Sequence, residues 1–431
     1  MGALKSKTAL IQSCCNLLDI QTKLRKINPN NFTLATRGTS REINRQIALT
    51  LIRTHQPVSR ADLARLMETN RANVTLLINE LLEEGLVREG SRGEQKVRGR
   101  KPTFLYLNSQ NSVAVAVDVR ATRTFLMLTD SIGKQIGEVT SFPTRSDPIE
   151  FVASLNWQIK KLLGGDVSSA VCSGIGVVVP GMLDLKTGLV INAPTLKWRN
   201  VNFLELMKEE FGDIEIHLEN SGKACALSQI WNVRGDSTGY SDIVFVSVSD
   251  GVGVGLVLNG ELIRGKHNTA GEFGHVPLSI DGPLCSCGAN GCWEAYISNL
   301  ATLSRYFGSN LANRKPQSIE VSEFTVEKLI AKARANDGKA LMALQSTARY
   351  LGLGLASIIN AIDPSMIYIG GEITEAWDII EPTVRDAIKE RTLSAELGET
   401  SLRIVPAVEF PRLRGAAALI TAPAFAAPKV A

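Results

Sequence analysis

"VAVAVDVRATRTFLMLTD", residues 113–130, is the stretch on which the fold turns. Val113 to Val119 form a nearly unbroken apolar run that ends in an acid, Asp118, and one more valine. A run of that length without polar alternation fits a strand covered on both faces. Four polar or small residues follow, and "TFLMLTD" returns as its antiparallel neighbour. Further strand-like runs stand at "SGIGVVVPG" (173–181), "IEIHLEN" (214–220), "DIVFVSVSDGVGVGLVLNG" (242–260) and "MIYIGG" (366–371). Helical stretches lie between them, among them "FVASLNWQIKKLLGG" and "ALMALQSTARYLGLGLASIINAI". Strands alternating with helices, with glycines at strand ends, predict an α/β fold of two lobes whose strand ends line a cleft.

Upstream of residue 109 the grammar differs. Thr39 and Glu42 have the spacing of a capping box ahead of "INRQIALTLIRT", whose Ile43, Ile47, Leu51 and Ile52 keep helical spacing. Ser59 with Asp62 opens a second short helix, "SRADLARLM". After the break "ETN" comes "RANVTLLINELLEEG", with Val74, Leu77, Ile78, Leu81 and Leu82 on one face and Gly85 placed to end it. Two strand-like runs, "LVREG" and "TFLYLN", follow and are joined by a basic loop. This order predicts a winged helix-turn-helix. In that motif the N-terminal residues of the third helix face base edges, here Asn70, Arg71, Asn73 and Thr75. The loop "RGRKP" places Arg98, Arg100 and Lys101 where extended cations suit a narrow minor groove. The alternative is a small helical interaction domain with a solvated basic loop.

Charge supports the DNA reading. Residues 41–108 hold twelve Lys/Arg against eight Asp/Glu, an excess of four that equals the net charge of the whole chain. A basic excess in this module is the footprint expected of nucleic-acid binding. At 431 residues the chain has room for two or three cores, and 44% apolar with 21% charged residues is a globular balance. No stretch approaches the roughly 20 apolar residues needed to cross a bilayer, and the first residues do not read as a signal peptide. Seven cysteines, an odd number with two adjacent at Cys14 and Cys15, do not suggest a secreted disulfide framework. A cytoplasmic location is expected.

Three of those cysteines lie in "CSCGANGCWEA", residues 285–295, ten residues after a histidine. His275, Cys285, Cys287 and Cys292 offer one imidazole and three thiolates, spaced H-x9-C-x-C-x4-C. Four such ligands with no open position are what a structural tetrahedral zinc requires. A disulfide competes poorly, because Cys-x-Cys closes a strained ring and one thiol stays unpaired. A redox site would more often present Cys-x-x-Cys.

Four segments, "VPGMLD" (179–184), "AGEFGHVPL" (270–278), "CSCGANGCWE" (285–294) and "IYIGGEI" (367–373), resemble those of the ROK family of repressors, uncharacterised open reading frames and sugar kinases. The resemblance covers residues 113 to about 420 and implies the actin-like, two-lobed fold of sugar kinases. The expected architecture is an α/β chain: an N-terminal extension (1–38), a winged helix-turn-helix (39–108) and a ROK-type sugar-binding domain (112–425). By the same resemblance sugar contacts fall on Asn220, Glu272, His275 and Glu294, with Gly181 in the cleft. Solvation, or bracing of the metal loop, is the plainer role for Glu272 and Glu294.

Two departures from the family's kinases bear on function. The kinase base is an aspartate directly after the cleft asparagine, whereas here Asn220 precedes Ser221. Family kinases follow the first strand with Asp-Gly-Gly-Thr; here Asp118 precedes Val119, Arg120, Ala121 and Thr122. A second glycine-rich loop, Gly251-Val252-Gly253-Val254-Gly255, keeps its glycines, as either a phosphate loop or a tight strand turn. The expectation is a catalytically inactive kinase homologue: a regulator, most simply a repressor of carbohydrate genes. Its partners would be a double-stranded DNA operator, a sugar or sugar phosphate effector and a second copy or three more of itself. Family effectors include xylose, glucose and N-acetylglucosamine derivatives. The rivals are a sugar kinase with an appended DNA-binding head and a regulator governed by a protein partner.

Overall fold

The computed structural model describes residues 37–90, 103–109, 112–164, 171–231, 242–308 and 324–425. Arg98, Arg100 and Lys101, and the extension up to residue 36, lie outside the described residues.

The head begins with α1 (Arg37–His55), α2 (Arg60–Leu66) and α3 (Arg71–Glu83). Ser59 and Asp62 form a reciprocal capping box at the start of α2, and Asn70 caps α3 through the Asn73 amide. Glu84 and Gly85, the latter at φ +70°, end α3 as its sequence predicts. The capping box expected at Thr39 and Glu42 does not open α1, because the helix already includes Arg37. The buried face of α1 also differs from the expected one. Ala48, Leu49 and Ile52 are buried, whereas Ile47 is 43% exposed. Three antiparallel strands, β1 (Val58–Ser59), β2 (Val87–Gly90) and β3 (Phe104–Leu107), pair in the order β1-β3-β2 and complete a winged helix. The two-residue strand β1 was not legible in the sequence.

The body repeats one sheet plan twice. The first lobe carries β4 (Ser112–Val119), β5 (Arg123–Asp130), β6 (Gln135–Pro143), β7 (Val171–Val179) and β11 (Ile216–Asn220) in the order β11-β7-β4-β5-β6. Between β7 and β11 lies a small antiparallel sheet, β8 (Met182–Asp184), β9 (Leu189–Ala193) and β10 (Trp198–Val201). The second lobe carries β12 (Ile243–Val248), β13 (Val252–Leu258), β14 (Glu261–Leu262), β15 (Met366–Gly370) and β16 (Ser401–Val405) in the order β14-β13-β12-β15-β16. In each lobe the first strand pairs antiparallel with the second and parallel with the fourth. The two sheets thus share order and direction, and β4 corresponds to β12 as the central strand.

Helices α4 (Pro148–Leu163) and α5 (Phe203–Phe211) belong with the first lobe, whose core gathers Val115, Val117, Phe151, Ile175, Trp198 and Phe203. Between the lobes in the chain stands α6 (Ser221–Ile230). The second lobe adds α7 (Glu294–Ile297), α8 (Asn299–Phe307), α9 (Val326–Arg334), the long α10 (Gly338–Ile362), α11 (Trp377–Arg391) and α12 (Ala395–Gly398). Val246, Val254, Trp293, Leu355 and Ile369 are among its core. The chain then returns to the first sheet with α13 (Pro411–Thr421). A Cβ at Gly176 of β7 would lie 1.9 Å from the Ala416 carbonyl oxygen, so α13 rests directly on that sheet.

Candidate functional site: a cleft beside a cysteine loop

Asn220 ends β11 and caps α6, accepting the Gly222 amide at 2.9 Å. Its side-chain nitrogen donates to the Gly181 carbonyl at 2.8 Å. Gly181 follows β7 at φ +95°, and a Cβ there would meet the Asn192 oxygen at 2.3 Å, so only glycine fits this corner. Behind Asn220, Glu219 is fully buried; it accepts the Asn220 amide at 2.9 Å and the Arg264 Nε at 3.0 Å. Lys223, one turn further along α6, is also fully buried and donates from Nζ to the Asn268 carbonyl at 2.9 Å. Burial pushes its ammonium down, against the opposing pull of Glu219 and Glu272. Sequence reasoning missed Glu219, Lys223 and Arg264. Their signal was charge inside apolar runs, which is rare unless the groups are paired.

Glu272 precedes the 3-10 turn Phe273–His275, which carries the histidine. Nδ1 of His275 stands 3.7 Å from Cys285 Sγ, and Cys287 Sγ stands 3.7 Å from Cys292 Sγ. The ligand atoms of all four residues lie within 4.8 Å of one another. A disulfide between Cys287 and Cys292 is excluded at that separation, since bonded sulfurs sit about 2.05 Å apart. Thiolates at about 2.3 Å from a tetrahedral ion are separated by about 3.8 Å, which this cluster matches. It could therefore hold a metal ion. Burial pushes the Cys285 thiol up to about 12.

Glu294 opens α7, and both of its carboxylate oxygens are engaged. Oε1 accepts from Ser286 Oγ at 2.7 Å, and Oε2 accepts the Val252 amide at 2.9 Å. It ties the cysteine loop to the glycine-rich turn between β12 and β13. The geometry thus brings Gly181 to Asn220, Glu272 to His275, and His275 and Glu294 to the cysteine loop.

The two turns after the central strands differ. Asp118 at the end of β4 is fully buried, and Arg120 Nε donates to its Oδ2 at 2.7 Å. The Arg120 guanidinium also lies 4.6 Å from the centre of the Phe125 ring. Asp118 Oδ1 has no hydrogen-bond partner among the described residues. Arg412, deep at the start of α13, donates to Ser247 of β12 at 3.5 Å. Burial opposes its charge, but Asp118, Cys225, Glu372 and Asp250 outweigh burial and raise its pKa. A cation from the first lobe's helix thereby bridges to the second lobe.

On the head, α3 exposes Arg71, Asn73 and Thr75. Asn70 spends its oxygen on the Asn73 amide at 2.8 Å, and Thr75 donates to the Arg71 carbonyl at 2.8 Å. Leu76, 65% exposed, joins this surface although it lies in an apolar run.

A winged-helix head on a duplicated, sugar-kinase-like body, with a three-cysteine, one-histidine cluster in the second lobe, defines the class. The chain belongs to the ROK family, whose model matches residues 114–422, and residues 46–89 match the MarR family. It is similar to the xylose repressor of Bacillus subtilis (strain 168), 28% identical, covering 84% of this chain and 90% of the relative. The transcriptional dual regulator NagC of Escherichia coli (strain K12) is 26% identical, over 82% of this chain and 86% of the relative. Among solved structures, a ROK family transcriptional regulator described as a homologue of the Escherichia coli MLC protein superposes with a TM-score of 0.73 at 25% identity. That match covers 90% of this chain and 97% of the other. A ROK family glucokinase from Streptomyces griseus, TM-score 0.60 at 24% identity, covers 72% of this chain and 99% of its own, a likeness of fold alone. No described helix is long and apolar enough to cross a membrane.

Proposed function

We propose that the chain is a sugar-responsive DNA-binding regulator, a repressor of carbohydrate-metabolism genes acting in the cytoplasm without phosphoryl transfer. Residues 39–108 are its DNA-binding head and residues 112–425 its ligand-binding body. One contrast carries the reading: the chain keeps groups suited to sugar hydroxyls while residues of another kind stand where phosphoryl transfer needs a base and a glycine loop. Asn220, Glu272, His275 and Glu294 offer an amide, an imidazole and carboxylates, which pair with hydroxyls as both donors and acceptors. Where a base would follow Asn220 stands Ser221, which cannot take up a proton as a carboxylate does, a loss of about 10²–10⁴-fold. Asp118, at the end of β4, is held by Arg120. The names of two similar proteins, a xylose repressor and a DNA-binding transcriptional dual regulator, support a DNA-binding regulator.

His275, Cys285, Cys287 and Cys292 would hold a structural zinc that fixes the loop carrying Ser286 and Glu294. With Nδ1 of His275 turned to the cysteines, Nε2 is left for a sugar hydroxyl. In the head, Arg71, Asn73 and Thr75 would read bases, Asn70 would contribute its amide nitrogen, and Arg98, Arg100 and Lys101 would enter the minor groove. A homodimer would set two α3 helices about 34–36 Å apart on a pseudo-palindromic operator.

The test is operator binding with and without sugar. A duplex selected by the protein from a randomised pool is titrated with protein alone, then with xylose, glucose, N-acetylglucosamine and their 6-phosphates. At least one should weaken binding, and Glu272→Ala should abolish that response while leaving binding without sugar intact. No sugar-dependent change across the panel would refute the reading.

A further inference from the structure

Two neighbouring helices of the body start at contacts between its elements, Asn220 with Gly181 and Arg412 with Ser247, and end against the head. Helix α6 starts at Asn220, the residue that holds Gly181, and ends at its C-cap, Trp231. Helix α13 starts at Pro411 beside the bridging Arg412, ends at Thr421, and is continued by a short turn to Phe425. The pair is tightly packed: a Cβ at Gly415 of α13 would lie 1.9 Å from the Ala224 carbonyl oxygen of α6. Each spans about 15 Å at 1.5 Å per residue. Helix α6 is held against sliding at its N-terminal end by glycine-level contact, Gly222 against Gly253 and Val254.

At the far ends one side chain of the head meets both. Arg53, on the last turn of α1, donates from Nη2 to the Trp231 carbonyl at 2.7 Å. Its guanidinium lies 5.6 Å from the centre of the Trp231 ring and 5.0 Å from that of Phe425. Thr50, one turn earlier, donates to the Phe425 carbonyl at 3.4 Å. Phe425 is itself buried in the head's core with Leu49, Ile52, Val58 and Leu105, and Trp231 packs against that core. The carbonyls at a helix C-terminus have no partner within the helix and carry partial negative charge, so a cation placed there is favoured. A planar guanidinium can donate in its plane and stack on rings above and below at the same time; an ammonium cannot.

We propose that Arg53 is the joint through which the body sets the position of the DNA-binding head, taking its cue from the paired helices α6 and α13. A ligand that moves Asn220, or changes the approach of the lobes across Arg412 and Ser247, displaces the helices together. Their C-terminal ends carry that displacement to Arg53, which touches both Trp231 and Phe425. This rests on the functional reading above, that the cleft takes sugar and the head takes DNA.

The experiment compares the full-length wild-type protein with Arg53→Ala and Arg53→Lys, each checked for folding by thermal unfolding. Sugar affinity is measured by calorimetry with the same panel, and DNA affinity by anisotropy on the selected duplex. Sugar affinity of the variants should stay within about twofold of wild type, while the sugar-induced change in DNA affinity falls about tenfold in both. A merely structural contact would lower unfolding temperature and leave that change intact, and an undiminished change in both variants overturns the joint. If wild type shows no sugar response, the functional reading fails separately. The joint is then decided by hydrogen exchange of the α1 amides from Ile47 to His55. Faster exchange in Arg53→Ala than in wild type keeps it, and equal exchange overturns it.

Discussion

The turn after β4 and the turn after β12 occupy equivalent places in two sheets of one plan, yet they are built from opposite materials. The first is Val119-Arg120-Ala121-Thr122, and its arginine folds back onto Asp118. The second keeps Gly251, and β13 directly after it carries Gly253 and Gly255. From sequence, the glycine turn is the one that looks kept for a phosphate. In the structure each of its glycines faces protein. A Cβ at Gly251 would lie 2.8 Å from Glu294 Oε2, one at Gly253 would lie 3.2 Å from Gly222 Cα, and one at Gly255 would lie 2.4 Å from the Gly222 oxygen. The glycines let α6 and the cysteine loop approach the second sheet, so close packing alone accounts for them. The first turn is under no such constraint, and there side chains have taken the space. Glycine in a turn signals close approach; what approaches is a tertiary fact.

The sharpest way to break this comparison is to add one carbon to each turn's counterpart. Gly255→Ala must displace backbone, so it should cost about 3 kcal/mol or fail to fold, read by thermal unfolding. A stable Gly255→Ala would mean that packing does not explain the turn. Removing Cys292, a proposed zinc ligand, tests the same turn from the other side, because Glu294 joins the cysteine loop to Val252. Cys292→Ser should reduce zinc from about one ion per chain to none by elemental analysis, and should speed hydrogen exchange at Val252. Zinc retained at wild-type content would remove Cys292 from the ligand set.

At the first turn, Arg120→Ala strands a buried carboxylate that keeps only the pull of Arg412, and should destabilise by about 1–3 kcal/mol. Asp118→Asn combined with it should recover part of that loss; strictly additive costs would show that the two do not interact. The smallest effect is expected from Ser221→Asp. It restores a carboxylate after Asn220 but leaves side chains in the first turn, so no sugar phosphorylation from ATP should be detectable by product assay. Product formation there would show that a single residue separates this chain from an enzyme.

Much of the fold was legible because it rests on local chemistry. The apolar run at Val113–Val119, the antiparallel return, the Ser59 and Asp62 cap and the Gly85 stop all appear where their residues predict. What escaped were elements with weak local signals: the two-residue strands, and the three short strands from Met182 to Val201. The face of α1 was misjudged at Ile47 because its burial depends on what packs against the helix. Ala48 and Leu49 turn inward instead. Asn70 illustrates the same limit in the head, since its oxygen caps α3 instead of pointing away from the helix. Asn220 and Glu294 were singled out by motif, but their hydrogen bonds to Gly181 and Val252 were not predictable from spacing.

By itself the sequence determined the identities that chemistry demands. Three thiols and an imidazole at metal-ligand spacing, a serine directly after Asn220, and a basic module ahead of the α/β body follow from residue type and order. Those are covalent and charge properties, carried by each side chain wherever the chain goes. Only the tertiary structure decided which groups meet. It placed His275 within reach of cysteines ten and more residues away, seated α6 in the glycine turn, and closed Arg53 between Trp231 and Phe425. Those pairings depend on how two sheets and a head pack, and packing is set by the sum of many weak contacts instead of any local run of residues.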